Sequence, residues 1–189
     1  MKKKWLIIAV LFPACSFCQD NKPASKVHTI LSIGVAAGES TAKPLAQFSA
    51  GYTYDRFFTG IGVGLDQYRF KSVPLFADWR MNLGRTRSVF LFANGGYNFS
   101  YGNEAGDLNG FKTTDRYSGG LYFDAGFGYR LRLNAMHRVS LSAGYSQKNI
   151  VNEVGYTYPC FNPPCNEETF NYHYNLGRIT GKLSWEFGR

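Results

Sequence analysis

The chain has 189 residues, enough for one domain and short for two, and its 21 Lys+Arg against 13 Asp+Glu leave a formal charge of +8. Past the first twenty residues no apolar run approaches the roughly 18–20 residues of a membrane-spanning helix, so any membrane crossing falls to strands. The cations are not gathered into basic, aromatic-studded stripes, which argues against nucleic acid as a partner.

Residues 1–18 read as an export signal. Lys2, Lys3 and Lys4 form a positive start, Trp5 to Phe12 a short apolar core, and Ser16-Phe17-Cys18 sets small residues three and one before a cut at Gln19. Loss of the three lysines lowers the charge from +8 to +5. Acylation of Cys15 or Cys18 is the lesser alternative, because neither follows a leucine and a run of small residues. Residues 19–26, polar and containing Pro23, form a short leader, and 27–189 form the main domain.

From Val27 onward the period is two. Val27, Thr29, Leu31, Ile33, Val35 and Ala37 share one face, with His28, Ser32 and Gly34 opposite. A second run carries Ala46, Phe48, Ala50, Tyr52 and Tyr54 against Gln47, Ser49, Gly51, Thr53 and Asp55. A third sets Thr59, Ile61, Val63 and Leu65 against Gly60, Gly62, Gly64 and Asp66, and a fourth Val73 to Met81 against Pro74 to Asn82.

The fifth sets Val89 to Phe99 against Asn94, Gly96, Asn98 and Ser100. In the sixth, Leu121, Phe123, Ala125, Phe127, Tyr129 and Leu131 alternate with Tyr122, Asp124, Gly126, Gly128 and Arg130. The seventh pairs Val139 to Tyr145 with Ser140 to Ser146. The eighth sets Ile179, Gly181, Leu183, Trp185 and Phe187 against Thr180, Lys182, Ser184 and Glu186. Eight such runs predict an all-β, eight-stranded antiparallel up-and-down barrel.

The links alternate in length: tight near Asp55, short over 82–87 and 132–138, longer over 66–72, long over 101–116 and longest over 147–175. Segregated short turns and long loops are the habit of transmembrane barrels. In lipid every backbone polar group must pair internally, so strands cross only as a closed ring. The apolar faces then meet acyl chains and the polar faces an interior just wide enough for side chains. Asp55, Asp78, Arg80, Asp124, Arg130, Lys182 and Glu186 are expected inside, several of them paired, since an unpaired buried charge is costly. Such a plug argues against a wide aqueous pore. Tyr52, Tyr54, Trp79, Tyr97, Phe99, Tyr129, Trp185 and Phe187 fall near strand ends on the apolar face, as an aromatic girdle requires. A soluble lipocalin-like barrel or sandwich is the alternative on fold, with these aromatics in its core.

After signal removal Cys160 and Cys165 remain, and in an oxidising compartment Cys-Phe-Asn-Pro-Pro-Cys reads as a small disulfide loop contributing about 2 kcal/mol. Two cysteines without nearby histidine pairs fall short of a metal site. No cofactor is expected.

The signal, the eight runs and the closing Leu183-Ser-Trp185-Glu-Phe187 resemble the small outer-membrane β-barrel proteins of Gram-negative bacteria, over Val27 to Phe187. The resemblance implies short periplasmic turns, longer extracellular loops, outer-membrane lipids as surroundings, and the barrel-assembly machinery as a transient partner reading the C-terminal segment. A monomer is expected. The fold hosts many activities, so it does not name one. The expected role is structural or surface-interacting through the outer loops, without catalysis, and a narrow pore for small or hydrophobic solutes is the alternative. A lipid-modifying enzyme is the minor one, resting on His137 with Ser140, or on His173 near Tyr172 and Glu168; His28 lies on the first run.

Overall fold

The computed structural model describes residues 26–38, 41–67, 71–100, 112–134, 136–157 and 167–188. The export signal, most of the polar leader, Cys160 and Cys165 lie outside the described residues. Nine strands follow in order: β1 (Lys26–Ala37), β2 (Ala42–Tyr54), β3 (Phe57–Gln67), β4 (Lys71–Leu83), β5 (Val89–Ser100), β6 (Lys112–Ser118), β7 (Gly120–Arg132), β8 (His137–Thr157) and β9 (Glu167–Gly188). Neighbours are antiparallel, and β9 pairs with both β8 and β1, which closes the sheet into a ring.

The ring has eight positions because β6 and β7 share one of them, both pairing with β8. Ser118 faces Val151 while Tyr122 faces Lys148, so one extra residue sits between β6 and β7, a bulge at the Gly119 break. Sequence periodicity missed β6 and placed it in a loop. Lys112-Thr-Thr-Asp-Arg-Tyr-Ser118 carries no apolar alternation to reveal a strand.

The last link also differs from expectation. The sequence predicts a loop over 147–175, but residues 147–157 and 167–175 continue β8 and β9 as one long hairpin of 21 and 22 residues. At about 3.3 Å per residue this hairpin is about 70 Å long, whereas a barrel strand crosses a bilayer in about 9–11 residues. The link over 66–72 is likewise shorter than expected, since β3 runs to Gln67 and β4 starts at Lys71. Length asymmetry between the two ends therefore rests on the segments after β5 and β8.

At the other end the turns are tight. Asp55 and Arg56 alone join β2 to β3, and Asp55 takes φ 50, a left-handed conformation that aspartate tolerates. Asp55 was expected inside the ring. It stands instead in this turn, 52% exposed and bonded to Arg87 at 2.7 Å, because the hairpin consumes it before the strand's inner face resumes at Phe58.

Polarity is inverted relative to a water-soluble domain. Ile61 is 73% exposed, Leu121 70%, Ile179 67% and Leu141 66%, while Asp78, Asp124 and Glu186 are buried. Contiguous apolar surface on this scale marks a lipid or partner contact. The alternating faces seen in the sequence thus separate outside from inside, and no second sheet covers the apolar face among the described residues.

Glycines on the inner face make room for rings as well as for charges. Gly62 lies opposite Phe76 across β3 and β4, and Gly128 opposite Phe90 across β5 and β7. A Cβ at either position would sit 2.4 Å from the facing ring. Gly62→Ala is therefore expected to destabilise the barrel by about 1–3 kcal/mol through overpacking. Urea unfolding in micelles should show it, with Gly62→Ala/Phe76→Leu recovering part of the loss.

Candidate functional site

Among the described residues, the inner faces pair four carboxylates with four cations, in three layers. Nearest the tight turns, β4 places Asp78 and Arg80 two residues apart on the same face, with Arg80 Nη2 3.0 Å from Asp78 Oδ2. Glu186 of β9 takes Arg130 Nε at 2.8 Å and faces Arg80 Nη1 at 3.6 Å. Ser49 donates to Asp78 at 2.7 Å, and Ser140 to Glu186 at 3.1 Å. Phe90 lies beneath both guanidinium groups, 5.0 Å from Arg130 and 5.7 Å from Arg80.

In the middle layer Lys182 Nζ is 2.6 Å from Asp124 Oδ2 and 4.2 Å from the centre of the Phe92 ring. Thr180 and the Tyr122 hydroxyl also donate to Asp124, at 3.3 and 3.2 Å. Gln47 reaches across from β2, donating to the Tyr122 hydroxyl at 2.8 Å. These bonds join strands far apart in sequence, as the 58 residues between Asp124 and Lys182 show. Charges held this far from water need such multiple partners to offset desolvation.

The third layer, toward the long loops, was not foreseen. Lys148 of β8 is fully buried and pairs with Asp66, and its Nζ donates to Ser72 at 3.0 Å. Ser72 in turn donates to Asp66. Asp66 ends the polar face of the third run and opens the link over 66–72, whereas Lys148 falls within the link over 147–175. The alternation of Ser142 and Ser146 continues through Lys148, Ile150 and Asn152, all of which point inward, and is the signal that marks Lys148. Phe58, Phe76, Phe90, Phe92 and Tyr122 fill space between the layers; the alternation of the sequence places Phe76 and Tyr122 on this face but gives no sign of Phe58, Phe90 and Phe92.

On the outside, the eight aromatics named for the girdle are all exposed. Tyr52, Tyr54, Trp79, Tyr129, Trp185 and Phe187 lie toward the tight-turn ends of their strands, and Tyr97 and Phe99 toward the loop end of β5. Trp185 stacks on Phe187 with ring centres 5.8 Å apart, and its indole N–H points at His137 Nδ1 at 3.3 Å.

Among the described residues the histidines do not meet the partners that the sequence offers them. His137 is outward beside Trp185, whereas Ser140 is inward on Glu186, so the strand's own alternation puts them on opposite faces. His173 and its neighbour Tyr172 are separated in the same way. His28 is buried near Thr53, its Nδ1 3.2 Å from the hydroxyl. No cluster of three metal-ligating side chains occurs among the described residues.

No family model matches the chain, and no curated protein does. Solved structures do. The chain is similar to the outer membrane protein OprG from Pseudomonas aeruginosa, at 11% identity and TM-score 0.57, over 89% of this chain and 97% of that one. It is also similar, more loosely, to the outer membrane protein AlkL in DMPC bilayers, at 12% identity and TM-score 0.43, over 96% and 97% of the two chains. A designed transmembrane β-barrel matches at 9% identity and TM-score 0.45, over 90% of this chain and 100% of the design. With its closed ring of eight strand positions, inverted polarity and the OprG likeness, the chain has the fold of the small Gram-negative outer-membrane β-barrels.

Proposed function

We propose that this protein is an integral outer-membrane barrel with a sealed interior, acting as a structural or surface-contacting element through its loop end. The observation that carries this reading is the filled interior. Three layers of paired charge, packed with five inward aromatics, occupy the ring where a channel would need water. The exposed apolar wall supports outer-membrane lipid as its surroundings, and the aromatics at strand ends suit the headgroup level.

The long hairpin of β8 and β9, buttressed by β6, is the part placed to meet a surface. Tyr156 and Phe170 pack edge to face across it, 5.9 Å between centres, and Phe170 and Tyr172 remain exposed. The separation of His137 from Ser140 supports a role without catalysis. The protein is expected to work as a monomer, delivered by the barrel-assembly machinery through its C-terminal strand, with no nucleic-acid partner and no cofactor.

Reconstituted in planar bilayers, the protein should give no steady conductance. Long-lived open steps from the unmodified chain would overturn the sealed reading in favour of a narrow pore. Fractionation supplies the second check, since release into buffer without detergent would remove the membrane assignment altogether.

A further inference from the structure

Below the charge layers, the barrel opens at its tight-turn end into a cavity of about 540 Å³ whose lining includes Arg87, Arg130, Arg132 and Arg138. This vestibule is distinct from the balanced interior. In the interior four carboxylates answer four cations, but among the described residues Asp55 is the one acid lining the vestibule, and its partner is Arg87. Glu186, behind the lining, is already committed to Arg130 and Arg80.

Arg132 and Arg138 are thereby left with no ion pair among the described residues, although they sit directly opposite one another on β7 and β8. Like charges at facing positions of a sheet repel. Inward alternation carries both side chains toward the barrel axis, since Arg130 and Ser140 precede and follow them on the inner face. Lysines on this rim could bend away into water. Arginines instead present flat forks that match phosphate oxygens two at a time. Thr86 and Ser88 of the second turn add hydroxyls to the same wall.

We propose that this vestibule is a binding site for a soluble, multivalent phosphate, such as a pyrophosphate or phosphate monoester, held by Arg132 and Arg138 and flanked by Arg87. The volume lies within the range of small-ligand sites, about 300–1,000 Å³. Its lining comes from inner faces and tight turns and includes none of the outward apolar side chains, which favours a solute over the headgroup of a surrounding lipid. This site is independent of whether the interior conducts.

The test is calorimetric titration of inorganic pyrophosphate into the full chain in lipid-free micelles at low ionic strength. Saturable binding in the submillimolar range is expected, weakening as salt is raised. Arg132→Gln/Arg138→Gln should lose at least tenfold in affinity, while Arg85→Gln, in the same turn region but outside the lining, should bind as the parent does. Removing facing like charges should also raise the ligand-free melting temperature of the double variant, which shows that it folds. No saturable heat, or equal binding by the double variant, would overturn the site. Displacement of pyrophosphate by phosphatidylglycerol added to the micelles would overturn its assignment to a soluble ligand.

Discussion

Glu186→Gln should lower the unfolding free energy by about 3–5 kcal/mol, the usual cost of stripping one partner from a buried ionic cluster. Glu186 is 2% exposed and serves Arg130, Arg80 and Ser140 together. The amide keeps the volume and one acceptor oxygen but none of the charge. Among the described residues Arg130 then has no carboxylate in an ion pair, and Arg80 keeps Asp78 alone. Reversible urea unfolding in lipid vesicles, followed through Trp79 and Trp185, measures the loss. The comparison is Arg87→Gln, which breaks the Asp55 pair in the exposed turn, where both partners are about half accessible. That change should cost less than about 1 kcal/mol. If both substitutions gave the same small shift, the interior would be wet and the sealed reading would fail. Adding Arg130→Met to Glu186→Gln should recover part of the loss, because the orphaned cation goes with its partner.

The second large effect belongs to the outer wall. Ile61 stands at the middle of β3 and is the most exposed large apolar side chain named above. Ile61→Arg should cost about 2–4 kcal/mol in a bilayer, the penalty for a guanidinium near the midplane of a barrel's lipid face. The same substitution at a water-facing position would change stability by less than about 0.5 kcal/mol. Lys43→Arg, on the inner side of β2, provides a charge-neutral control in the same assay. A near-zero result for Ile61→Arg would mean that the apolar face does not meet acyl chains.

These two experiments separate what was legible in the residues from what was not. Face assignment was legible: wherever one side of a strand meets lipid, every second residue must be apolar, and Leu121 to Leu131 show it without interruption. Along the upper β8–β9 hairpin that contrast fails, because the inner face mixes buried Ile150 and Val154 with Lys148 and Asn152, and Lys112–Ser118 carry no apolar alternation at all. Hence Lys112–Ser118 and residues 147–157 carried no strand signal, and Lys148 was missed with them. Asp55 failed differently. Alternation alone extends a strand to its last compatible residue, while the two-residue hairpin takes that residue for its turn. Inward Phe90 and Phe92 were hidden by the rule that made the outward aromatics visible, since they are apolar on a face otherwise read as polar, whereas Phe76 falls on that face by the alternation of the fourth run.

Alternation of side chains is a local property, so the amino-acid sequence by itself determined the eight alternating segments, their two faces and the inside-out polarity, but not β6 or the upper β8–β9 hairpin. Which charge meets which is not local. Asp66 with Lys148, Asp124 with Lys182, and Glu186 with both Arg80 and Arg130 are set by register across five strands and by closure of β9 on β1. Only the closed ring brings those side chains within hydrogen-bonding distance and away from water, and only it leaves Arg132 facing Arg138 at the mouth.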